Sequence, residues 1–288
     1  MTPRPRIKAP IRRPLGARAV TIGIGFECRD GIVLCADTQL TWPQYHKYYE
    51  RKIYPHLSDS MDYTIAFTFA GNPDLMKSFN GKFADALKLL KAPFTADKIQ
   101  ALVETVLDLM DVVDGDESGL FMLCGIVIPD KEMRLIKTSR KIVSRVDEYV
   151  GYDYVGAGDS SVLRFLGELL AHQPGDQFIE RHATVLGSYL VSRAIAYVDG
   201  CGGDTDIFVL HSYGTLEDRG AMAYRYEQSM LRIEHFVKAA AMKFFDRRVQ
   251  EIEFTESIER LNKSLQQEHL QFQVPPRTKY EGWPTDNN

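Results

Sequence analysis

The sequence predicts an α+β fold, a four-layer αββα sandwich of two antiparallel sheets flanked by helix layers. Three observations point there. Runs rich in β-branched and aromatic residues are joined by short polar or glycine-bearing turns, as hairpins require. Stretches with apolar residues at helical spacing come in pairs, not singly, between those runs. The resulting order is strands, two helices, strands, two helices and a strand, which suits antiparallel sheets covered on their outer faces better than alternating βαβ units.

The first hairpin is predicted over residues 21–27 and 31–36, joined by "CRDG", with Asp30-Gly31 expected to supply the positive φ values of a tight turn. "KIYPHL" and "DYTIAFTFA" flank the polar turn "SDSM" and form a second strand pair. Gly71, Asn72 and Pro73 then mark a strand-to-helix junction, with Asn72 as N-cap and Pro73 at the first helical position. That helix is predicted to run to about Leu90, and a second, capped by Thr95, to end near Gly115. "GLFMLCGIVI", "EMRLIKTS" and "KIVSRVDEY" read as antiparallel neighbours separated at Pro129-Asp130 and Ser139-Arg140. "VGAGDSSVLRFLGELLA" passes from a glycine-rich turn into a helix, residues 180–198 form another, and "GCGGDTDIFVLHSYG" supplies the last turn and strand. Three regions follow: a basic arm or propeptide (1–20), a main domain (21–214), and a charged helical appendage with an extended tail (215–288).

Composition narrows the function classes. The 288 residues carry a net charge of −4 with 44% hydrophobic residues, so nothing global attracts nucleic acid or an anionic membrane. The basic residues that do cluster are Arg4, Arg6, Lys8, Arg12, Arg13 and Arg18, without an acid among them. Four prolines break any helix there, and the apolar run of a secretory signal is missing, so the stretch reads as an arm or propeptide. It permits a nucleic-acid or membrane-surface role, but no stacking aromatics are interleaved with it. No stretch has the length of apolar residues that spans a bilayer. Cys28, Cys35, Cys124 and Cys201 show neither metal spacing nor disulfide density, which points to a reducing, cytoplasmic setting. Neither a metal nor another cofactor is expected, and no phosphate-binding glycine loop is present.

"TIGIGFECRDGIVLCADTQLT", "RKIYPHL" and "FTFAGNPDLM" together resemble the opening of a proteasome β-type subunit or its bacterial HslV relative, members of the N-terminal nucleophile hydrolases. The resemblance places Thr21, Asp37 and Lys52 at the family's nucleophile, aspartate and lysine positions. It implies a threonine-type peptidase in which Thr21, freed of residues 1–20, attacks a peptide carbonyl. The chemistry suits those residue types. A free α-amino group, with a pKa of about 7.7–8, can act as base toward its own residue's hydroxyl at neutral pH. An ammonium at Lys52 lowers the pKa of that hydroxyl, and Asp37 holds the lysine by a charge-assisted hydrogen bond. The Gly71 N–H is the implied oxyanion donor. Thr41 would pair with an extended substrate, and Phe69 would line the pocket before the cleaved bond. Asp199 and Cys201, in the "DGCGG" turn, stand near the family's supporting aspartate and serine. Implied partners are a peptide or unfolded protein, copies of the chain or related subunits in a ring, and a separate ATPase unfoldase.

Three positions depart from that pattern. Val20 replaces the glycine before the nucleophile, and its β-branch crowds attack on the preceding carbonyl. Ala157 and Cys201 replace two serines, and Asp199 stands one residue too close to Cys201; a thiol is a weak donor. Cys201 as an alternative nucleophile would need a base or a positive environment. The competing reading is a non-catalytic ring or scaffold subunit in which residues 1–20 stay attached and block Thr21. Gln39 occupies a position where β-type subunits commonly carry arginine and HslV-type proteins glutamine.

Overall fold

The computed structural model describes residues 21–41, 47–110, 119–139, 141–147, 150–156, 163–164, 166–168, 178–246 and 250–272. The arm, Val20, Ala157, the expected helix end near Gly115 and the tail lie outside the described residues.

Local chemistry accounts for the first half of the chain. β1 (Ile22–Cys28) and β2 (Gly31–Asp37) form the expected hairpin, with Cys28 opposite Gly31. The turn itself differs from expectation, because Arg29 and Asp30 connect the strands and neither Asp30 nor Gly31 has a positive φ. Left-handed residues appear instead in the turns of two later hairpins, at Met61 (φ 59°) and Asp130 (φ 56°). β3 (Gln39–Thr41) and β4 (Lys47–Tyr49) form a two-stranded ribbon. β5 (Ile53–Leu57) and β6 (Thr64–Gly71) lead into α1 (Pro73–Leu89). There Asn72 accepts the Asp74 and Leu75 N–H groups and Pro73 opens the helix, so the junction is capped as read. Thr95 caps α2 (Ala96–Asp108) in the same way through the Lys98 N–H.

β7 (Leu120–Ile128), β8 (Glu132–Ser139) and β9 (Ile142–Arg145) extend the second sheet, giving the order β5-β6-β7-β8-β9. β10 (Tyr152–Gly156), β11 (Thr205–His211) and β12 (Leu216–Asp218) join the first hairpin in the order β10-β1-β2-β11-β12. All the strand pairings among the described residues are antiparallel. α3 (Glu180–Tyr197) packs against the first sheet, α4 (Gly220–Phe245) rests on α3 and β11, and α5 (Glu251–Phe272) packs on α4. The chain is thus a mixed α+β protein. No described helix is long and apolar enough to cross a membrane.

The period-two pleat of each strand divides the core. Phe67 and Phe69 of β6 meet Phe79, Phe83 and Val103 of α1 and α2. Ile22, Ile24 and Phe26 of β1 meet Leu190 and Val191 of α3. Between the sheets, Ile32, Leu34, Phe208 and Leu210 pack with Ala66, Leu123, Val127 and Leu135. Gly23 of β1 allows the sheets to approach closely. A Cβ there would stand 2.8 Å from Val155 and 2.9 Å from Thr68. That approach brings β5 and β6 against the start of β1, where Thr21 sits.

At the opposite end of β1 and β2, a charged cluster ties the C-terminal elements down. His211 contacts Glu180 at 2.7 Å and Glu217 at 3.2 Å, and Arg219 contacts the same carboxylates at 2.9 and 2.7 Å. Burial opposes a charge on His211, but the two carboxylates outweigh it and push its pKa up to about 9. His211 in turn holds Glu217 down to about 2. An unfolded histidine titrates at about 6.5, so the cluster's contribution to stability is complete below that pH and is lost as pH rises through about 9. We expect the melting temperature to fall across this window by about 2–4 °C and His211→Gln to abolish the slope, as read by calorimetry. A wild-type melting temperature level from pH 6.5 to 9 would remove the charged histidine.

Candidate active site

Thr21 precedes β1, Asp37 ends β2, and Lys52 stands just before β5. Three separate segments therefore meet where the two sheets approach. All three residues are buried, and the Lys52 side chain is only 1% exposed. A buried ammonium needs a partner for each N–H, and Lys52 has three. Its Nζ donates to Asp37 Oδ1 at 2.7 Å, to the Gln39 carbonyl at 2.5 Å, and to Thr21 Oγ1. The Thr21 hydroxyl donates to Asp37 Oδ1 at 2.5 Å, and the Ile22 N–H reaches the same oxygen at 3.0 Å. Asp37 Oδ2 accepts the Gly202 N–H at 3.0 Å. Burial lowers the Lys52 pKa, and the Asp37 charge and hydrogen bond act against that shift.

This geometry polarises one hydroxyl. Thr21 Oγ1 accepts from a cation and donates to an anion, an arrangement that withdraws its proton and stabilises the oxygen as negative charge develops. The Thr21 carbonyl packs against Gly156, where a Cβ would lie 2.2 Å from the oxygen and 2.9 Å from the Ala70 side chain. Ala70 leads directly to Gly71. The latter has φ +114°, and a Cβ on it would fall 1.9 Å from the Gly119 carbonyl, so only glycine fits at this end of β6.

The other expected residues separate into two groups. Cys201 lies beside the cluster, close enough for Asp37 and Lys52 to act on it electrostatically. Burial, reinforced by the Asp37 charge, pushes its thiol up to about 12, which suits a packed neighbour and not a nucleophile. Thr41 closes β3 opposite Lys47. Asp199 is not brought in: the turn after α3 leaves it exposed, and among the described residues no hydrogen bond or ion pair joins it to the cluster. Phe69 is 1% exposed and meets Tyr54 and Phe79 edge-on at 5.2 and 6.1 Å. Its strand parity matches that of Phe67, so it faces the layer of α1 and α2.

Sequence reading missed two main-chain contributors, the Gln39 carbonyl and the Gly202 N–H. Gln39 also fixes the turn that carries Gly202. Its N–H donates to the Gly202 carbonyl at 2.9 Å and its side-chain amide to the Gly200 carbonyl at 3.2 Å. The "DGCGG" turn had drawn attention to the Cys201 side chain, whereas its next main-chain N–H makes the contact. Paired glycines were the available signal, since they let backbone approach backbone.

No protein-family model and no curated protein matches the sequence. Solved structures do match in fold. A glycine-minus-one mutant of Anbu from Hyphomicrobium sp. strain MC1 has a TM-score of 0.64 at 12% identity, covering 76% of this chain and 97% of that one. Anbu from Yersinia bercovieri, described as an ancestral beta-subunit, gives 0.63 at 11% identity over the same shares. A helical assembly of the Anbu complex from Pseudomonas aeruginosa gives 0.61 at 13%, covering 76% and 96%. The chain thus has a proteasome-like fold. The resemblance to a β-type or HslV-like subunit is corrected, because these neighbours are Anbu proteins, which are proteasome-like but distinct from HslV.

The buried pair makes a stability prediction. Asp37→Ala strands the Lys52 ammonium and is expected to cost about 3–5 kcal/mol, while the double variant Asp37→Ala/Lys52→Met recovers a large part of that loss in urea denaturation. A double variant no more stable than the single one would show that Lys52 is not held as a buried charge by Asp37.

Proposed function

We propose that this chain is a subunit of a proteasome-like assembly, inert while residues 1–20 are attached and a threonine-type peptidase once they are removed. The observation that carries this reading is the Thr21 hydroxyl, set between the Lys52 ammonium and the Asp37 carboxylate. In the intact chain the Thr21 nitrogen belongs to a peptide bond and has no basic lone pair. Cleavage before Thr21 would release an amine that titrates at about 7.7–8 and can shuttle the hydroxyl proton. Thr21 Oγ would then attack a peptide carbonyl, the amine would pass its proton to the leaving nitrogen, and water would release the acyl group. Gly71 is the proposed oxyanion donor, and Thr41 the proposed partner of an extended peptide. Asp199 is left out of this scheme. Cys201 serves as packing beside Asp37.

The finer architecture belongs to the same reading: helix layer, sheet, sheet, helix layer, with the three clusters as the seams. Self-assembly into a ring or helical array is supported by the Pseudomonas Anbu structure, described as a helical assembly. A separate ATPase delivering unfolded protein in the cytoplasm completes the proposal.

A second reading has its own support. Val20 before Thr21, Cys201 in place of a hydroxyl donor and the displaced Asp199 favour a permanently non-catalytic ring or scaffold subunit. The structural comparisons extend to the subunit fold alone and sit better with this reading than with catalysis. Intact mass and N-terminal sequence of the purified assembly separate the two. The peptidase reading expects a chain beginning at Thr21, with Thr21→Ala remaining full length. A wild-type assembly that keeps residues 2–20 would establish the scaffold.

A further inference from the structure

Lys52 carries the Thr21 site, yet residues 50–52 have no regular secondary structure to hold them. What fixes this segment is the edge of the opposite sheet. The Lys52 main-chain N–H donates to the Asp206 carboxylate on β11. Arg51 pairs with Asp218 of β12 at 2.8 Å and lies over the Phe208 ring at 5.7 Å. Asp206 is 7% exposed, and its Oδ2 has no hydrogen-bond partner among the described residues. The β11 pleat puts it on the same face as Phe208 and Leu210, which pack between the sheets. A carboxylate buried there without a full set of partners is costly, and such groups concentrate at functional sites.

We propose that Asp206 is a positioning residue of the Thr21 site, joining β11 to the Lys52 main chain so that the ammonium is delivered to Thr21 and Asp37. The proposal rests on the reading of Thr21 as nucleophile. Asp206 touches neither Thr21 nor a substrate and acts through Lys52. Its surroundings also make the anchor sensitive to pH. Burial, together with the like charges of Asp218 and Asp204, pushes the Asp206 carboxyl up to about 6, while Arg51 and the Lys52 N–H act against the shift. Across the strand pair, Ala36 is its register partner and Asp37 follows on β2; Gly220, which opens α4 beside it, carries no charge. Above about pH 6 the carboxylate accepts the Lys52 N–H by a charge-assisted bond. Below it the proton weakens that bond, and Lys52 loosens.

The test uses the full assembly with Thr21 exposed, and Asp206→Asn, which keeps the size and one acceptor oxygen but cannot ionise. A thermal melt first establishes that the variant is folded. The probe is a β-lactone: Thr21 Oγ adds to the lactone carbonyl, the ring C–O bond breaks, and the hydroxyl proton ends on the released alkoxide. The acylation rate is followed by intact mass from about pH 5 to 8, and amide hydrogen exchange at Lys52 is measured in parallel. In both proteins the rate is expected to fall below about pH 8 as the Thr21 amine gains a proton; the wild type steepens further below about pH 6, whereas Asp206→Asn is roughly tenfold slower at neutral pH and lacks that second limb. Lys52 is expected to exchange faster in the variant. Acylation and exchange indistinguishable from wild type in the variant would overturn the proposal. A wild-type chain that is not acylated at any pH would sink the nucleophile reading, while Lys52 exchange dependent on Asp206 would then leave the anchor standing. Exchange independent of Asp206 overturns the anchor in either case.

Discussion

An ammonium ion with no access to water has to be satisfied by the protein, and Lys52 is satisfied only where three parts of the chain converge. Asp37 supplies the countercharge, the Gln39 carbonyl a neutral acceptor, and Thr21 a hydroxyl. Lys52 enters from the sheet of β5 to β9, while Thr21 and Asp37 belong to the sheet of β1 and β2. Correct packing of one sheet on the other is thus a condition for placing the charge. Gly23 permits the approach, and the apolar face of Ile32, Leu34, Phe208 and Leu210 drives it.

The same constraint distinguishes a built site from an active one. Polarising a threonine needs only the cation and the anion beside it, both present in the intact chain. Turnover needs a proton carrier as well, and for an N-terminal nucleophile that carrier appears only when a peptide bond is cut. The neighbouring Cys201 does not substitute for it, since its thiol is held protonated by burial and by the Asp37 charge. Under the proposed reading, the covalent state of the chain therefore controls the chemistry at Thr21.

Features decided by near neighbours were legible in the sequence. The hairpin of β1 and β2 followed from its apolar runs, and the Asn72-Pro73 junction from capping chemistry. Thr21, Asp37 and Lys52 were singled out through a resemblance, and the fold brings the three side chains into contact. The branch of that resemblance was not legible, because the likeness to the Anbu structures, at 11–13% identity, lies in the fold and not in the residue pattern. Phe69 was read as a pocket residue although alternation along "TIAFTFAG" groups it with Ile65 and Phe67, on the face covered by helices. Asp199 depended on the exit angle of α3, which no local pattern encodes. The three-residue strands β3 and β4 were missed, being too short to show a period. Main-chain donors such as Gly202 leave almost no trace in residue type.

Gly202 and β11 enter the site from the last third of the chain, whereas Thr21 and Lys52 belong to the first. Synthesis runs from the N-terminus, so a nascent polypeptide presents Thr21 long before the turn that completes the Asp37 environment has been made. Until β11 pairs with β2, one oxygen of Asp37 lacks its donor and the first sheet lacks its seam. The order of translation therefore leaves the contact of Thr21, Asp37 and Lys52 incomplete until the last third of the chain has left the ribosome.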